Sequence, residues 1–475
     1  MRGACPPVMK RADNETDAAA AKGRHPWREN IEALAMAIVV ALLFKSFILE
    51  ISKIPSGSMQ PTLMGNPETQ VFDRVLVDKL SFQMRDPKRW EIVVFKHPLE
   101  NSRIMVKRLV GMPGEEIRIA GGDLWTRAND GEDWQILRRP EAVQEEMWRT
   151  LEPDEPARTS WKRAEGTRGW QIQGRDVMAD GPGRVHYRDP NGAIRDVYVD
   201  GYPDVLRPKI GVRPEWGRNH VGDVRLTAQI EAEAQTGEVV VELREGDLRY
   251  AFVLPGPAAE LDAPTLRVVE GDAVRNVSAQ DPWRLPAGRS VEVRVQNLDD
   301  RLSFEVDGDE VASLEIAPFR GKGTGIDLIV REGSASFEDV VVERDIYYLA
   351  HRGSTWQTKI PEGQYVMLGD NTQDSADSRD WEVVRFEWED PQAGPQSVRG
   401  NFRGNNENPT RNAAIGQTRF RDEWGEEHWF ATTDGRQGLQ ASSPLVAREL
   451  IQGRALAVFW PLKPHKGIWR LAWLH

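Results

Sequence analysis

The chain has a single cysteine among its 475 residues, Cys5, which stands in a polar leader. It can form no internal disulfide and no cysteine-based metal site, a state compatible with any compartment. Positive charge is in deficit: 62 Lys and Arg face 74 Asp and Glu, for a formal charge of -12. No basic stripe or RNA-binding motif offsets that deficit, which excludes nucleic acid as a partner. His428 lies beside Glu426 and Glu427 but has no second histidine at ligand spacing. A solvated surface face accounts for that stretch, so no metal site and no other cofactor is implied. Long apolar runs are absent except for one. The chain is instead rich in turn formers, 30 Pro and 41 Gly, which reads as a mainly β protein, and its length points to two or three domains.

The one long apolar run, IEALAMAIVVALLFKSFILEI, covers 31–51. That is about the 20 residues a helix needs to cross a bilayer, and Lys45 lies near enough to its far end to snorkel to the interface. Arg2, Lys10, Arg11, Lys22, Arg24 and Arg28 precede it, among Asp13, Glu15, Asp17 and Glu29. The positive-inside rule then places the N-terminus in the cytoplasm and the rest of the chain on the extracytoplasmic side. No small-residue cleavage site follows the run, so an uncleaved anchor is expected. The tail GRALAVFWPLKPHKGIWRLAWLH is too short to span and is interrupted by Pro461, Lys463, Pro464 and Lys466. Trp469 and Trp473, beside Lys466 and Arg470, suit an interfacial foot; a packed C-terminal strand and helix suits the same residues.

Directly after the run comes KIPSGSMQPTL, Lys53 to Leu63, where Pro55, Gly57 and Pro61 impose an irregular backbone able to expose a hydroxyl. Alone, it reads equally as an ordinary Ser-rich turn. FDRVLVDKLSF and RWEIVVFKHP then alternate as two strands, and IMVKRLVGMPGEEI sets Lys107 among Met105, Val106, Leu109 and Val110. Burial there would disfavour the ammonium and lower its pKa by several units. A third segment, YVMLGDNTQDSADSRDW, runs from Tyr365 to Trp381.

In order, PSGSMxPTL, KRxVGxPGE and GDN…DSADSRxW after an anchor resemble the motif boxes of bacterial type I signal peptidases, over roughly 130–150 residues. The resemblance implies a membrane serine endopeptidase that removes signal peptides by cutting after small residues. It implies Ser58 as nucleophile, Lys107 as general base, Ser375 as the hydroxyl orienting the lysine, and the Ser58 N–H with the Ser56 hydroxyl as oxyanion donors. Shallow substrate pockets would be walled by Ile54, Pro55, Met59, Leu63, Met105 and Val106, residues that packing alone also explains. Arg108, Asp370, Asp377 and Arg379 would form a supporting ion-pair framework. Thr372, Gln373 and Asp374 depart from the family pattern without touching the dyad. The implied partners are signal peptides, membrane lipid and the protein export channel.

Two stretches interrupt the resemblance. In 126–342, period-two alternation recurs at Val224, Leu226, Ala228 and Ile230, at Val239, Val241 and Leu243, at Val291, Val293 and Val295, at Leu302, Phe304 and Val306, and at Ile326, Leu328 and Val330. This is the pattern of an antiparallel β-sandwich, similar to a concanavalin-type jelly roll, a fold that serves either to bind glycan or to occupy space. The second stretch, 385–443, lacks sustained periodicity; RGNFRGNNENPTRN reads as an exposed loop and TRFRDEWGEEHWFATTDG as a hairpin. The expected organisation is a leader at 1–30, an anchor at 31–51, a signal-peptidase-type antiparallel β core at 52–125, 343–384 and 444–475, an inserted sandwich at 126–342, and a second insertion at 385–443. A membrane-anchored glycan-binding scaffold with a vestigial peptidase core is the alternative, opposed by the intact Ser58, Lys107 and Ser375.

Overall fold

The computed structural model describes residues 26–67, 70–151, 161–187, 193–197, 217–319, 321–390, 392, 394–402, 408–431, 435–460, 462–463 and 468–474. Cys5, the leader up to residue 25, and Pro461, Pro464 and Lys466 of the tail lie outside the described residues.

Two units divide the chain, Met1–Glu50 and Ile51–His475. The first holds a 22-residue helix, Pro26–Phe47. It starts earlier than the apolar run because proline, with φ fixed near the helical value and no N–H to satisfy, suits a first helical turn. It also stops short of the expected residue 51, because Leu49–Lys53 is a strand. There the apolar Leu49 and Ile51 alternate with Glu50 and Ser52, which is strand periodicity. Among the described residues no helix is long and apolar enough to cross a membrane. Leu34, Met36, Ile38, Leu42, Leu43 and Phe47 are nonetheless all exposed along this helix.

The second unit is built from antiparallel sheets. An eight-stranded sheet runs in the order Leu49–Lys53, Arg74–Asp78, Ile451–Trp460, Ile92–His97, Glu100–Gly111, Gln364–Leu368 and Leu445–Ala447, with Ala472–Trp473 paired to Ile451–Trp460. Ile451–Trp460, from near the C-terminus, thus lies between two strands from the first hundred residues. A packed tail strand is present, and the described residues of the tail contain no helix. Thr355–Lys359, Glu116–Ala120, Asp123–Arg127 and Gln135–Ile136 form a four-stranded sheet beside it.

Two further sheets, of eight and seven strands, enclose one large core. Every alternating residue named above between Val224 and Val330 is in that core, and Val291–Leu298 switches between buried and half-buried at each step. Period two places alternate side chains on opposite faces, so one face packs and the other meets solvent. The strands of these sheets begin at Arg149–Thr150 and end with Ala335–Arg344, later than the expected start at residue 126. Residues 126–148 instead extend the four-stranded sheet and form the helix Glu141–Met147, whose Val143 and Met147 pack with Trp90, Val110, Ile117, Ile346 and Tyr348.

In the stretch 385–443 the described residues form two small sheets; of the expected loop RGNFRGNNENPTRN, residues 403–407 lie outside the described residues and its two ends are strand. Glu382–Asp390 lies between Gly394–Asn401 and Gly435–Ser442, and Thr410–Asn412, Gln417–Arg421 and Glu427–Ala431 form a meander that includes the expected hairpin. Their shared core is three side chains, Val384, Phe386 and Phe420, with Phe430 4.6 Å from Phe386 between ring centroids. So few apolar residues, scattered over separate strands, leave little periodicity to read.

The strands entering and leaving the sandwich are paired, Arg149 opposite Arg344. Paired Cα atoms lie about 5 Å apart, so a few glycines can bridge them. A chain with Thr150–Glu343 replaced by a short Gly linker is expected to keep a cooperative unfolding transition. Replacing Asp130–Glu343 also removes Val143 and Met147 from their core, and buried truncations of this size cost about 2–5 kcal/mol each. Thermal unfolding followed by circular dichroism distinguishes the two excisions, and equal melting would show that the helix Glu141–Met147 is dispensable.

Candidate active site

Ser58 sits in a turn that immediately follows the edge strand. Gln60 N donates to Gly57 O at 3.0 Å and Leu63 N to Met59 O at 2.8 Å. The third motif box is pressed onto this turn. Asn371 donates from Nδ2 to Gly57 O at 2.9 Å and from its backbone N to Ser58 O at 3.2 Å. At Gly369 the approach is so close that a Cβ would stand 2.4 Å from Ser58 O and 2.1 Å from Ser375 Oγ, a spacing only glycine permits.

Lys107 lies on Glu100–Gly111 opposite Val93 and is 2 % exposed. Its Nζ donates to Ser58 Oγ. Burial is the main cause that pulls the amine down to about 8, with Arg103 and Arg379 acting the same way and Asp377 and Asp370 opposing. Ser56 Oγ is 3.5 Å from Ser58 Oγ.

Ser375 departs from the expected geometry. Its hydroxyl donates to Asp377 Oδ2 at 2.7 Å rather than bonding the lysine. A serine has one proton to donate, and an ionised carboxylate is the strongest acceptor within reach. Asp377 Oδ2 also accepts from Gly369 N at 2.9 Å, and Oδ1 from Arg379 Nε at 2.8 Å. Burial pushes the Asp377 carboxyl up, but the Arg379 guanidinium and these hydrogen bonds outweigh it and hold the group below the usual carboxylate range. Arg108 and Asp370 form a second buried pair, with Nε and Nη2 each donating at 2.9 Å to a separate oxygen. All four side chains are buried, so the framework has two ion pairs, one beside Lys107 and one behind it.

The proposed pocket walls do not all converge. Ile54, Met59 and Leu63 pack together with Val106, whereas Met105 belongs to a separate cluster with Phe82, Phe95, Leu109 and Trp381. Met105 and Val106 are successive strand residues and so face opposite ways. Pro55 is exposed.

Several contributors were not legible in sequence. Arg470 of the tail donates from Nε to Asp73 Oδ1 at 2.7 Å and from Nη2 to Thr62 O at 3.0 Å, while Asp73 Oδ2 accepts from Met64 N at 2.7 Å. Arg470, in a tail that suits either an interfacial foot or a packed strand and helix, therefore anchors the Ser58 turn; Trp473 beside it is exposed. Thr372 and Gln373, the departures from the family box, hold the segments bordering the sandwich: Thr372 Oγ1 donates to Tyr347 O at 2.7 Å and Gln373 Nε2 donates to Asp196 O. Only the box departures themselves signalled such a role. His428 bonds Asp422 Oδ2 at 2.9 Å and stands near Glu426 on the surface.

Fold and site together define a β-rich protein in which a buried lysine is hydrogen-bonded to a serine in an irregular turn. The family model for signal peptidase, peptidase S26, matches residues 27–163 and 303–388. The chain is 35 % identical over 105 residues to a probable signal peptidase I-2 of Synechocystis sp., covering 21 % of this chain and 45 % of that one. It is 33 % identical over 128 residues to a signal peptidase I of Leptolyngbya laminosa, covering 25 % and 60 %. A signal peptidase I of Pseudomonas aeruginosa is 36 % identical over 93 residues, 17 % of this chain and 31 % of that one. The chain spans less than two thirds of the length of the curated relatives it matches. Among solved structures, the carbohydrate binding module CBM66 from Bacillus subtilis is 15 % identical with a TM-score of 0.26, covering 39 % of this chain and 96 % of that one. At that score the likeness adds nothing to the two-sheet arrangement read from the strands.

Removing Arg470 would leave the fully buried Asp73 without its guanidinium. Arg470→Ala is expected to destabilise the protein by about 3 kcal/mol at neutral pH, the usual scale for breaking one partner out of a buried pair. The deficit should shrink in acid, where Asp73 takes up a proton in the variant before it does in the parent. Urea unfolding at pH 7 and pH 5 measures both, and a pH-independent deficit would count against the ion pair as its cause.

Proposed function

We propose that this chain is a membrane-anchored type I signal peptidase, a serine endopeptidase that removes signal peptides from exported preproteins after small residues. The observation that carries this reading is the contact of buried Lys107 Nζ with Ser58 Oγ. A lysine near its reference pKa of 10.4 is neutral in roughly 1 of 2,500 molecules at pH 7, whereas one near 8 is neutral in roughly 1 of 10. Desolvation therefore supplies most of the base.

In the proposed reaction neutral Lys107 takes the Ser58 proton as Oγ attacks the scissile carbonyl carbon. The oxyanion accepts from the Ser58 backbone N–H and the Ser56 hydroxyl. Collapse breaks the C–N bond, and the Lys107 ammonium returns its proton to the leaving amine. A water deprotonated by the again neutral Lys107 then attacks the acyl carbon; the C–Oγ bond breaks and the Lys107 ammonium returns that proton to Ser58 Oγ. Asp377, with Ser375 and Arg379 bonded to it, acts on Lys107 through charge and position. Ile54, Met59, Leu63 and Val106 are proposed as the apolar wall for small side chains, with Pro55 at its margin; Met105, on the opposite face of its strand, lies outside this wall.

The anchor is proposed to be the run 31–51, most of it within the helix Pro26–Phe47. Its support is that large apolar side chains are exposed along the helix, as a helix facing lipid requires. The charge asymmetry supports an N-terminus in the cytoplasm and a catalytic part outside it. The two-sheet unit is proposed as a concanavalin-like insertion. The intact serine–lysine contact argues against the alternative, a glycan-binding scaffold with a vestigial site.

Ser58→Ala and Lys107→Ala are each expected to lower cleavage of a preprotein with an Ala-x-Ala site by about 10⁴-fold or more, because nucleophile and base act as one unit. A Lys107→Ala enzyme keeping over about a tenth of the activity, under 1.4 kcal/mol of barrier, would overturn the base assignment. For the parent, kcat/KM should rise with pH through about 8 as Lys107 loses its proton. A flat profile between pH 6 and 9 would contradict it. Carbonate washing of membranes should leave the chain in the pellet and release a form lacking 31–51; release of the parent would refute the anchor.

A further inference from the structure

Three aspartates far apart in sequence meet at one point. Asp123 opens the strand Asp123–Arg127 of the four-stranded sheet, Asp223 directly precedes the sandwich strand Val224–Ala232, and Asp299 occupies the turn joining Val291–Leu298 to Arg301–Val306. Each offers a carboxylate oxygen within 4.8 Å of those of the other two. Asp299 and Asp300 both have positive φ, +49° and +61°, the conformation of a two-residue hairpin turn that aspartate tolerates better than most side chains. Asp299 N donates to Asp223 Oδ1 at 3.2 Å, which fixes the turn against its neighbour.

An acidic cluster alone says little, since exposed carboxylates gather without consequence. Here Asp123 is 5 % exposed and Asp299 4 %. Independently, Asp299 Oδ2 is buried with no hydrogen-bond partner. A buried carboxylate oxygen left unsatisfied carries the full cost of lost hydration.

Nearby cations make their hydrogen bonds to other partners, although Arg139 and Arg138 still act on Asp299 by charge. Arg139 Nη1 donates to Asp345 Oδ2 at 2.8 Å and Gln144 Oε1 at 2.7 Å. Arg138 Nη2 donates to Glu315 Oε2 at 2.6 Å and to the backbone O of Asp299 at 2.8 Å. Asp300, Asp345 and Glu245 add negative charge around Asp223. Burial first, then Asp299 and these neighbours, push Asp223 well above the carboxylate range; burial, against Arg139 and Arg138 and with Asp345 and Asp300, pushes Asp299 up to about 7. Three carboxylates with oxygens within 4.8 Å of one another and so little access to water repel one another, a repulsion that shared protons or a bound cation would relieve.

We propose that Asp123, Asp223 and Asp299 form a binding site for a divalent cation of the calcium type, joining the sandwich to the small sheet that flanks the catalytic strand. The ligand atoms are all carboxylate oxygens, which suit a hard ion rather than zinc or copper. Two oxygens bound to one Ca²⁺ at about 2.4 Å can be no more than about 4.8 Å apart, whereas Mg²⁺ at about 2.1 Å needs them closer. Bound there, the ion fastens Asp123, just after the turn Gly121–Gly122, to two sandwich loops, so the orientation of sandwich against core depends on it.

The test uses the full chain in detergent, stripped with EDTA and desalted, titrated with CaCl₂ by calorimetry and melted with and without Ca²⁺. We expect one Ca²⁺ per chain with half-saturation below about 1 mM, a higher melting temperature in Ca²⁺, and weaker binding of Mg²⁺. The double variant Asp223→Asn/Asp299→Asn should bind Ca²⁺ at least tenfold more weakly and lose the melting shift. Because amides relieve the repulsion, it should melt in EDTA no lower than the stripped parent, which shows that it folds. Asp422→Asn, at the surface cluster with Glu426 and His428, should leave both readouts unchanged. Absence of Ca²⁺ heat and melting shift in the parent, or equal binding by the double variant, overturns the proposal. Proton uptake between pH 8 and 6 without Ca²⁺ binding would overturn it too and assign the cluster to shared protons.

Discussion

The charge of Lys107 is taken out of water, and most of the local structure follows from having to tolerate that. An ammonium buried to 2 % exposure loses hydration worth far more than one hydrogen bond returns, so the proton becomes loosely held. The strand Ile92–His97 covers one side of its backbone, and the turn carrying Ser58 meets its amine. Asp377 opposes the shift by its charge, while Arg103, and Arg379 bonded to that same carboxylate, act the other way. The balance leaves a lysine lowered to about 8, so that an appreciable fraction is neutral at neutral pH.

Buried framework charges are arranged so that none is left alone. Arg108 with Asp370 and Arg379 with Asp377 are closed pairs, each with further hydrogen bonds to backbone groups. Such pairs add little net stability compared with apolar packing, but their geometry is unforgiving, and that fixes the third box against the nucleophile turn. Arg470 and Asp73 do the same from the opposite end of the chain. The irregular turn at Ser58 is thus held by side chains from four separate segments, since it has no ladder of its own.

Legibility followed the length scale of the physics. The sandwich strands were readable because alternation within six to ten residues encodes which face is buried, and Val224 through Val330 fall on the core side as the pattern requires. The residues 126–148 were not, because Val143 and Met147 are buried by Trp90 and Tyr348 rather than by anything adjacent. The small sheets of 385–443 have too few inward side chains to impose a period. Resemblance assigns Ser375 to the lysine, whereas the folded chain brings Asp377 within reach and its carboxylate accepts the Ser375 proton.

By itself the sequence determined an apolar helix ahead of a β-rich chain, the alternation of the inserted strands, and the resemblance that couples Ser58 to Lys107. Each of these is carried by short windows, where periodicity or a motif acts locally. Tertiary structure alone decided that Ile451–Trp460 lies between Arg74–Asp78 and Ile92–His97, that Lys107 is dehydrated, that Arg470 braces the nucleophile turn, and that Asp123, Asp223 and Asp299 converge. Those depend on which distant surfaces exclude water from one another, and desolvation exists only once the chain has closed around the group.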